Sequence, residues 1–239
     1  MYDIIIKNGI AAVDGKGLVR ADVCILDKKI AYIGCADGAA AQTIDAGGMI
    51  VSPGFIDIHM HEEDFSQDRD YVIAVQMLRM GVTTCLAGNC GDQNQPTAVF
   101  RKKVEAGSPV NYMTLAGYNR ARRTVAGLGR YDTATSAQMR DIAEHIAREI
   151  EDGASGISFG VEYAPGISFE EAVAAVTLQK ERNIFVSMHY RADCDGCIDS
   201  IKEMIAMARA MGTRFQISHL SSCSARGQMA ESLRLINAA

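Results

Sequence analysis

The sequence predicts an α/β protein in which a small β-sandwich module precedes an incomplete (β/α)8, TIM-like barrel of about six βα units. Three observations predict it. Residues 1–52 carry only short strand-like runs separated by turn signals, whereas in residues 53–239 strand-like runs alternate with helical ones. Such alternation implies parallel pairing, because parallel neighbours need a crossover between them. An open doubly wound sheet has the same alternation, but no G-x-G-x-x-G follows the first strand and no Walker motif is present. Polar residues recur instead where the strands end, which is where a (β/α)8 barrel carries its site.

In chain order, the β module is expected to hold strands at 3–6, 22–26, 29–34 and 43–44, with Asn8-Gly9 and Asp14-Gly15 as turns. The barrel strands are expected at 55–61, 82–88, 112–117, 156–161, 184–190 and 214–219. Between them, Ser136 opens a helix with an Ile142, Ile146, Ile150 stripe that Gly153 stops, and Ser168-Phe-Glu-Glu171 reads as a capping box. Met204, Met207 and Met211 have helical spacing and are expected in the core. His145, beside the apolar stripe, is expected to be solvated.

With 239 residues, 48% hydrophobic content and a mean hydropathy of +0.01, the chain is long enough to bury a sizeable core. Its 29 acidic and 24 basic residues are interleaved with no basic stripe, so nucleic acid is not an expected partner. No run approaches the apolar length of a membrane span, and Met1-Tyr2-Asp3 opens a strand-like run without a signal-peptide pattern. The expected location is cytoplasmic. Seven cysteines, an odd number, are then expected to be reduced, some of them as ligands.

The chemistry concentrates at strand ends. In an extended strand Asp57, His59 and His61 share one face, so two imidazoles converge, and neutral imidazole suits zinc. Two histidines on a half-exposed strand would look the same. The second strand runs into Gly88-Asn89-Cys90-Gly91, where Cys90 is either a thiolate ligand or a small buried thiol. The fifth ends Ser187-Met188-His189-Tyr190-Arg191 and the sixth Ile217-Ser218-His219. Four histidines and a cysteine at four strand ends are not independent accidents.

These segments carry a family resemblance. Pro53-Gly-Phe-Ile-Asp-Ile-His-Met-His61, Gly81-Val-Thr-Thr84, Gly88-Asn-Cys-Gly91, Gly156-Ile-Ser-Phe-Gly160 with Tyr163-Ala-Pro165, His189-Tyr-Arg191 and Ile217-Ser-His219 resemble the amidohydrolase superfamily, and within it the N-acyl-D-amino-acid deacylases, or D-aminoacylases. The cysteine is the most specific part, since many relatives use a carboxylated lysine from strand four and residues 156–163 contain no lysine. The resemblance implies a small-molecule substrate, with zinc held by Cys90, His189 and His219 and a second, weaker metal position at His59 and His61. It also implies that Tyr163 contacts substrate and that Arg191 either meets a substrate carboxylate or forms a salt bridge behind the site.

The chain also departs from that pattern. The family's general base, an aspartate after strand eight, has no counterpart here, so no catalytic base is expected within this chain, and either a second polypeptide or a missing C-terminal segment is expected to supply it and complete the barrel. Ser221 stands where the family has a lysine, which puts substrate-carboxylate binding in question. Tyr118-Asn119 follow Gly117 where the family tends to have histidine. Cys194-Asp-Gly-Cys197 with Cys223 is read as incidental loop cysteines rather than a redox or second metal site. The rival functions are a cyclic-amide hydrolase of the dihydroorotase or hydantoinase kind and a catalytically silent metal-binding subunit.

Overall fold

The computed structural model describes residues 1–63 and 71–239, which separate into two compact units, Met1–Gly54 and Phe55–Ala239. The first unit holds β1 (Tyr2–Lys7), β2 (Ile10–Val13), β3 (Gly17–Arg20), β4 (Asp22–Leu26), β5 (Lys29–Gly34), β6 (Ala40–Asp45) and β7 (Ile50–Val51). Among the described residues they form two sheets, ordered β5-β4-β1-β6 and β3-β2-β7. The hairpin β2–β3 turns over Asp14-Gly15, with Gly17 opposite Val13. That turn was legible, but Ile10-Ala-Ala-Val13 lacks the polar alternation that marks a half-buried strand.

The second unit alternates parallel strands with helices: β8 (Phe55–Asp57), α1 (Val72–Arg79), β9 (Val82–Ala87), α2 (Thr97–Glu105), β10 (Asn111–Thr114), β11 (Ala116–Gly117), α3 (Tyr118–Ala126), α4 (Ser136–Glu151), β12 (Gly156–Gly160), α5 (Phe169–Thr177), β13 (Phe185–His189), α6 (Cys197–Met211), β14 (Arg214–Ile217), α7 (Leu220–Cys223) and α8 (Met229–Asn237). Their order is β8-β9-β10 and β11-β12-β13-β14, every neighbour parallel. The expected third strand is two pieces broken at Leu115, because the chain changes partner there. Thr114 lies opposite Ala87 on β9 while its carbonyl accepts from Ser155 N–H at 2.8 Å, and Ala116 then pairs with Ile157. That switch links the two sheets. No helix among the described residues is long and apolar enough to cross a membrane.

The expected strands at 55–61 and 214–219 are shorter than the sequence suggests, ending at Asp57 and Ile217. Both stop before their histidines, although single ladder contacts continue beyond them, from Met60 N–H to Leu86 O at 3.2 Å and from Ser218 N–H to Met188 O at 3.0 Å.

The core forms where helix stripes meet strand faces. Ile142 and Ile146 of α4, Ile157 and Phe159 of β12, Val186 and Met188 of β13, and Met204, Met207 and Met211 of α6 are all buried. Each fully buried side chain of this size contributes about 1.5–3 kcal/mol. The cap of α4 is Thr135 rather than Ser136, in a capping box with Gln138. Ser168 caps α5 by accepting from Glu171 N–H, but the Glu171 carboxylate does not reach back to complete a box. It is drawn inward by Arg122, whose Nε donates to it at 2.7 Å, and by the Tyr118 hydroxyl at 3.1 Å. His145 is half-buried rather than solvated, 3.6 Å from Glu149, and burial lowers its pKa.

Glu149 anchors the segment that follows β9. Although its burial alone would raise the carboxyl pKa, hydrogen bonds from the Thr97 backbone N–H (2.8 Å) and Gln93 Nε2 (3.1 Å) hold it below the ordinary glutamate value. A depressed folded-state pKa stabilises above the unfolded value of about 4.3 and is lost as pH falls through the folded one. The stability lost in Glu149→Gln, read by urea unfolding, is therefore expected to be full at pH 6 and to shrink on acidification toward pH 3.

Candidate metal centre

All the strand-end donors lie on one side of the second unit, where the chain leaves the C-terminal ends of its parallel strands. After β8, Asp57 Oδ1 accepts the His59 backbone N–H at 2.9 Å, a local turn that swings His59 out of the ladder. Met60 N–H then reaches Leu86 O at 3.2 Å, continuing the register past the strand end. After β9, Cys90 itself has φ 59 and is followed by Gly91 at φ +76. A cysteine in the left-handed region costs roughly 1–3 kcal/mol and persists only where its surroundings impose it. A Cβ on Gly91 would fall 2.1 Å from Asn119 Oδ1, and one on Gly160 would fall 2.1 Å from the Cys90 carbonyl. Both glycines let the cysteine loop lie directly on β12.

His189 ends β13 and is 3% exposed. His219 lies two residues past β14, with φ 32 at the start of α7. These positions bring four side chains together. Cys90 Sγ lies 3.4 Å from His59 Nε2, 3.6 Å from His189 Nδ1 and 3.8 Å from His219 Nε2, and the last two nitrogens are 2.9 Å apart. Zinc bonds of about 2.3 Å to sulfur and 2.0–2.1 Å to nitrogen, arranged tetrahedrally, place sulfur and nitrogen ligands about 3.6 Å apart. The three sulfur–nitrogen separations fit such an ion, and donor atoms of His59, Cys90 and His219 all lie within 4.8 Å of one another.

Neighbouring groups prepare the donors. Glu162 Oε2 accepts from His189 Nε2 at 2.6 Å, so His189 Nδ1 presents a lone pair to the cluster. The 2.9 Å contact then requires the proton on His219 Nε2. Moving that proton to Nδ1, which faces Ser222 Oγ at 3.1 Å, turns both nitrogens into ligands. Burial, and then the neighbouring His219 and His61, lower the His59 pKa to about 4, and burial followed by His189 lowers that of His219. Both are neutral, the ligating form, at pH 7. Burial pushes the Cys90 thiol up to about 11, so a bound cation would displace its proton.

His61 stands beside this cluster, its ring 6.0 Å from that of His59. With Cys90, Asp92, Asn119, Arg123 and Tyr163 it lines a cavity of about 270 Å³. Tyr163 is half-exposed there, its ring 4.5 Å from that of His189. Arg191 is turned away. Its guanidinium makes a paired contact with Glu203 at 2.8–3.1 Å and donates to the carbonyls of Pro165 and Ile167 at 2.9 and 3.0 Å, so it braces β13 instead of presenting an open fork. Ser221 is exposed, with no hydrogen bond among those described, while Ser222 takes the contact to His219. Cys197 and Cys223 are fully buried in the core, with Cys197 Sγ 3.4 Å from Ser224 Oγ, and Cys194 is half-buried just before α6.

Sequence reasoning missed Glu162, Ser222 and Arg123. The first could have been found as the charged residue directly after the fourth strand, but nothing local marks the other two.

The amidohydrolase family model matches residues 50–238. The chain belongs to the amidohydrolase family. Within it, the N-acyl-D-glutamate deacylase of Alcaligenes xylosoxydans xylosoxydans is 30% identical over 91% of this chain and 49% of that protein. The D-aminoacylase of the same organism is 28% identical over 100% of this chain and 55% of its own length. In fold, this amidohydrolase superposes on the N-acyl-D-glutamate deacylase of Bordetella bronchiseptica, solved with zinc and a phosphonate mimic of the reaction's tetrahedral intermediate, with a TM-score of 0.84 at 24% identity over 99% of this chain and 56% of that one. The chain thus spans about half the length of the relatives it matches.

Proposed function

We propose that this amidohydrolase chain carries the zinc centre of an N-acyl-D-amino-acid deacylase, hydrolysing the amide to a carboxylic acid and a free D-amino acid. The observation that carries the reading is the convergence of Cys90 Sγ on His59, His189 and His219 at 3.4–3.8 Å. In this reading the parallel strands are the wall of an incomplete (β/α)8 barrel, the first unit is a β-sandwich, and His61 borders a second, weaker metal position with His59. Zinc, when bound, polarises the scissile carbonyl and lowers the pKa of water toward 7. Glu162 keeps His189 in the ligating tautomer, and Ser222 Oγ can accept a hydrogen bond from His219 Nδ1–H when Nε2 is a ligand. Tyr163 forms the wall against which the substrate lies.

Arg123 is the cation lining the cavity, and its Nη2 is 2.8 Å from Asp92 Oδ1. We assign it, in place of Arg191, to the substrate carboxylate. A lost charge-assisted hydrogen bond costs about 1.5–3 kcal/mol. Arg123→Met is expected to raise KM about 10- to 100-fold at nearly constant kcat, whereas Arg191→Met is expected to lower stability first. Steady-state kinetics and thermal unfolding separate the two.

The general base implied by the resemblance has no counterpart in residues 1–239, so the hydrolysis is proposed for a protein that includes it, on this polypeptide or on another. A native mass spectrum of the protein from its own source reads chain mass, companion polypeptide and zinc together. Zinc at one equivalent, with chelator-sensitive release of amino acid from N-acetyl-D-glutamate or N-acetyl-D-leucine, is the expected result. A zinc-free protein inactive on every N-acyl-D-amino acid would favour the silent-subunit reading. The cyclic-amide reading is not favoured, because two deacylases match 91% and 100% of the chain, against 79% for a dihydroorotase and 37% for the D-hydantoinases.

A further inference from the structure

We infer that Asn89 is a positioning residue that holds the metal-ligand segments in register, through a buried polar chain formed with Ser187 and Ser218. All three residues are 0% exposed. Asn89 Nδ2 donates to Leu86 O at 2.8 Å and Met60 O at 3.3 Å, with Ile58 O at 3.5 Å. Its Oδ1 accepts from the Ser187 hydroxyl at 2.6 Å, and Ser187 Oγ lies 3.1 Å from Ser218 Oγ.

Each contact falls beside a different donor. Ile58 and Met60 flank His59, Asn89 itself precedes Cys90, Ser187 lies two residues before His189, and Ser218 precedes His219. One amide therefore ties together the loop after β8, the end of β9, and, through two hydroxyls, β13 and the end of β14.

The need for such a tie is local. Both Cys90 (φ 59) and His219 (φ 32) sit in left-handed backbone conformations that their side chains disfavour. Neither conformation is dictated by its own residue, so each has to be imposed by neighbouring groups. For Cys90, the adjoining Gly91 N–H is also held by Ser158 Oγ at 3.0 Å, but that contact reaches β12, which carries no donor of the cluster. Asn89 is the contact that communicates with the other three ligand segments. A buried amide is a strong device for this, because any displacement of the segments leaves buried donors or acceptors unpaired, at a cost of about 1–3 kcal/mol for each.

The functional part of this inference rests on the zinc reading above, while its geometric part does not. The variants are Asn89→Ser, which shortens the reach to the carbonyls, and Ser187→Ala, which cuts the link to β13 and β14 while leaving Asn89 in place. Cobalt(II) and zinc binding are measured on variants whose circular dichroism matches the parent, and metal-free crystal structures of parent and variants are compared. The expected result is zinc affinity lower by about 10- to 100-fold, the range for groups that orient a metal ligand, with shifted cobalt absorption bands and separations between Cys90 Sγ and the histidine nitrogens that spread beyond the parent's. Parent-like affinity, cobalt bands and separations in folded variants would overturn the inference. If the parent itself binds no metal, the zinc reading fails and the metal-free structures alone decide: dispersed donors in the variants uphold the positioning role, and unmoved donors refute it. If Asn89→Ser does not fold, Ser187→Ala carries both arms.

Discussion

Replacing Cys90 by serine is expected to abolish stoichiometric zinc binding, with affinity falling by more than about 100-fold. The magnitude follows from a comparison. Removing a group that only orients a ligand costs about 10- to 100-fold, and Cys90 is the donor common to all three short contacts with histidine. A serine hydroxyl is a poor zinc ligand at neutral pH, and its shorter bond to Cβ draws the oxygen back from the histidine nitrogens. Chelator competition and elemental analysis read the effect. Cys197→Ser is the matched control: its sulfur is equally buried but lies in the core beside Ser224 and Ser232, so it is expected to lower stability while leaving zinc content unchanged. Equal zinc loss in both variants would show that folding, not ligation, had been measured.

Arg122→Leu is expected to destabilise the second unit by about 3–5 kcal/mol, the cost of leaving one member of a buried ion pair uncompensated. Arg122 and Glu171 are 1% and 0% exposed, 2.7 Å apart, and Tyr118 donates to the same carboxylate oxygen. The guanidinium also closes the carbonyls of Gly129 and Asp132, so leucine strands several groups at once. Restoring charge balance with the double change Arg122→Leu and Glu171→Leu is expected to recover most of the loss, since a well-packed apolar pair often equals a buried ion pair. Guanidinium unfolding midpoints test both. An exposed pair such as Arg234 with Glu231 is expected to leave the midpoint unmoved when broken.

The contrast between these sites marks what the sequence could show. Strand positions in the second unit were largely legible because they are short apolar runs, four of the six expected ones ended by ligand-type residues, and Ile142 with Ile146 declared the buried face of α4. The donors themselves were legible for the same reason, since packing alone does not place a histidine or cysteine at the end of one apolar strand after another. The backbone around them was not. The left-handed conformations of Cys90 and His219 are not favoured by their own residues, and the contacts of Asn89 with Ser187 and of Ser158 with Gly91 come from segments far along the chain, of which local propensity carries no trace. Glu171 shows the same limit: its spacing from Ser168 satisfies a capping box, yet a buried arginine outcompetes the helix end. The two roles left open for Arg191 could not be separated by sequence, because its partner Glu203 lies within α6. Ser222 was not legible because its contact with His219 turns on a short helix that starts at His219 in an unusual conformation.

The proposed function depends on Cys90 and the strand-end histidines holding zinc, and the zinc K-edge X-ray absorption spectrum of the purified protein reads those ligands themselves. One sulfur scatterer near 2.3 Å is expected together with imidazole nitrogens near 2.0–2.1 Å. A spectrum with only oxygen and nitrogen neighbours, or a protein that retains no zinc at all, would contradict the zinc centre.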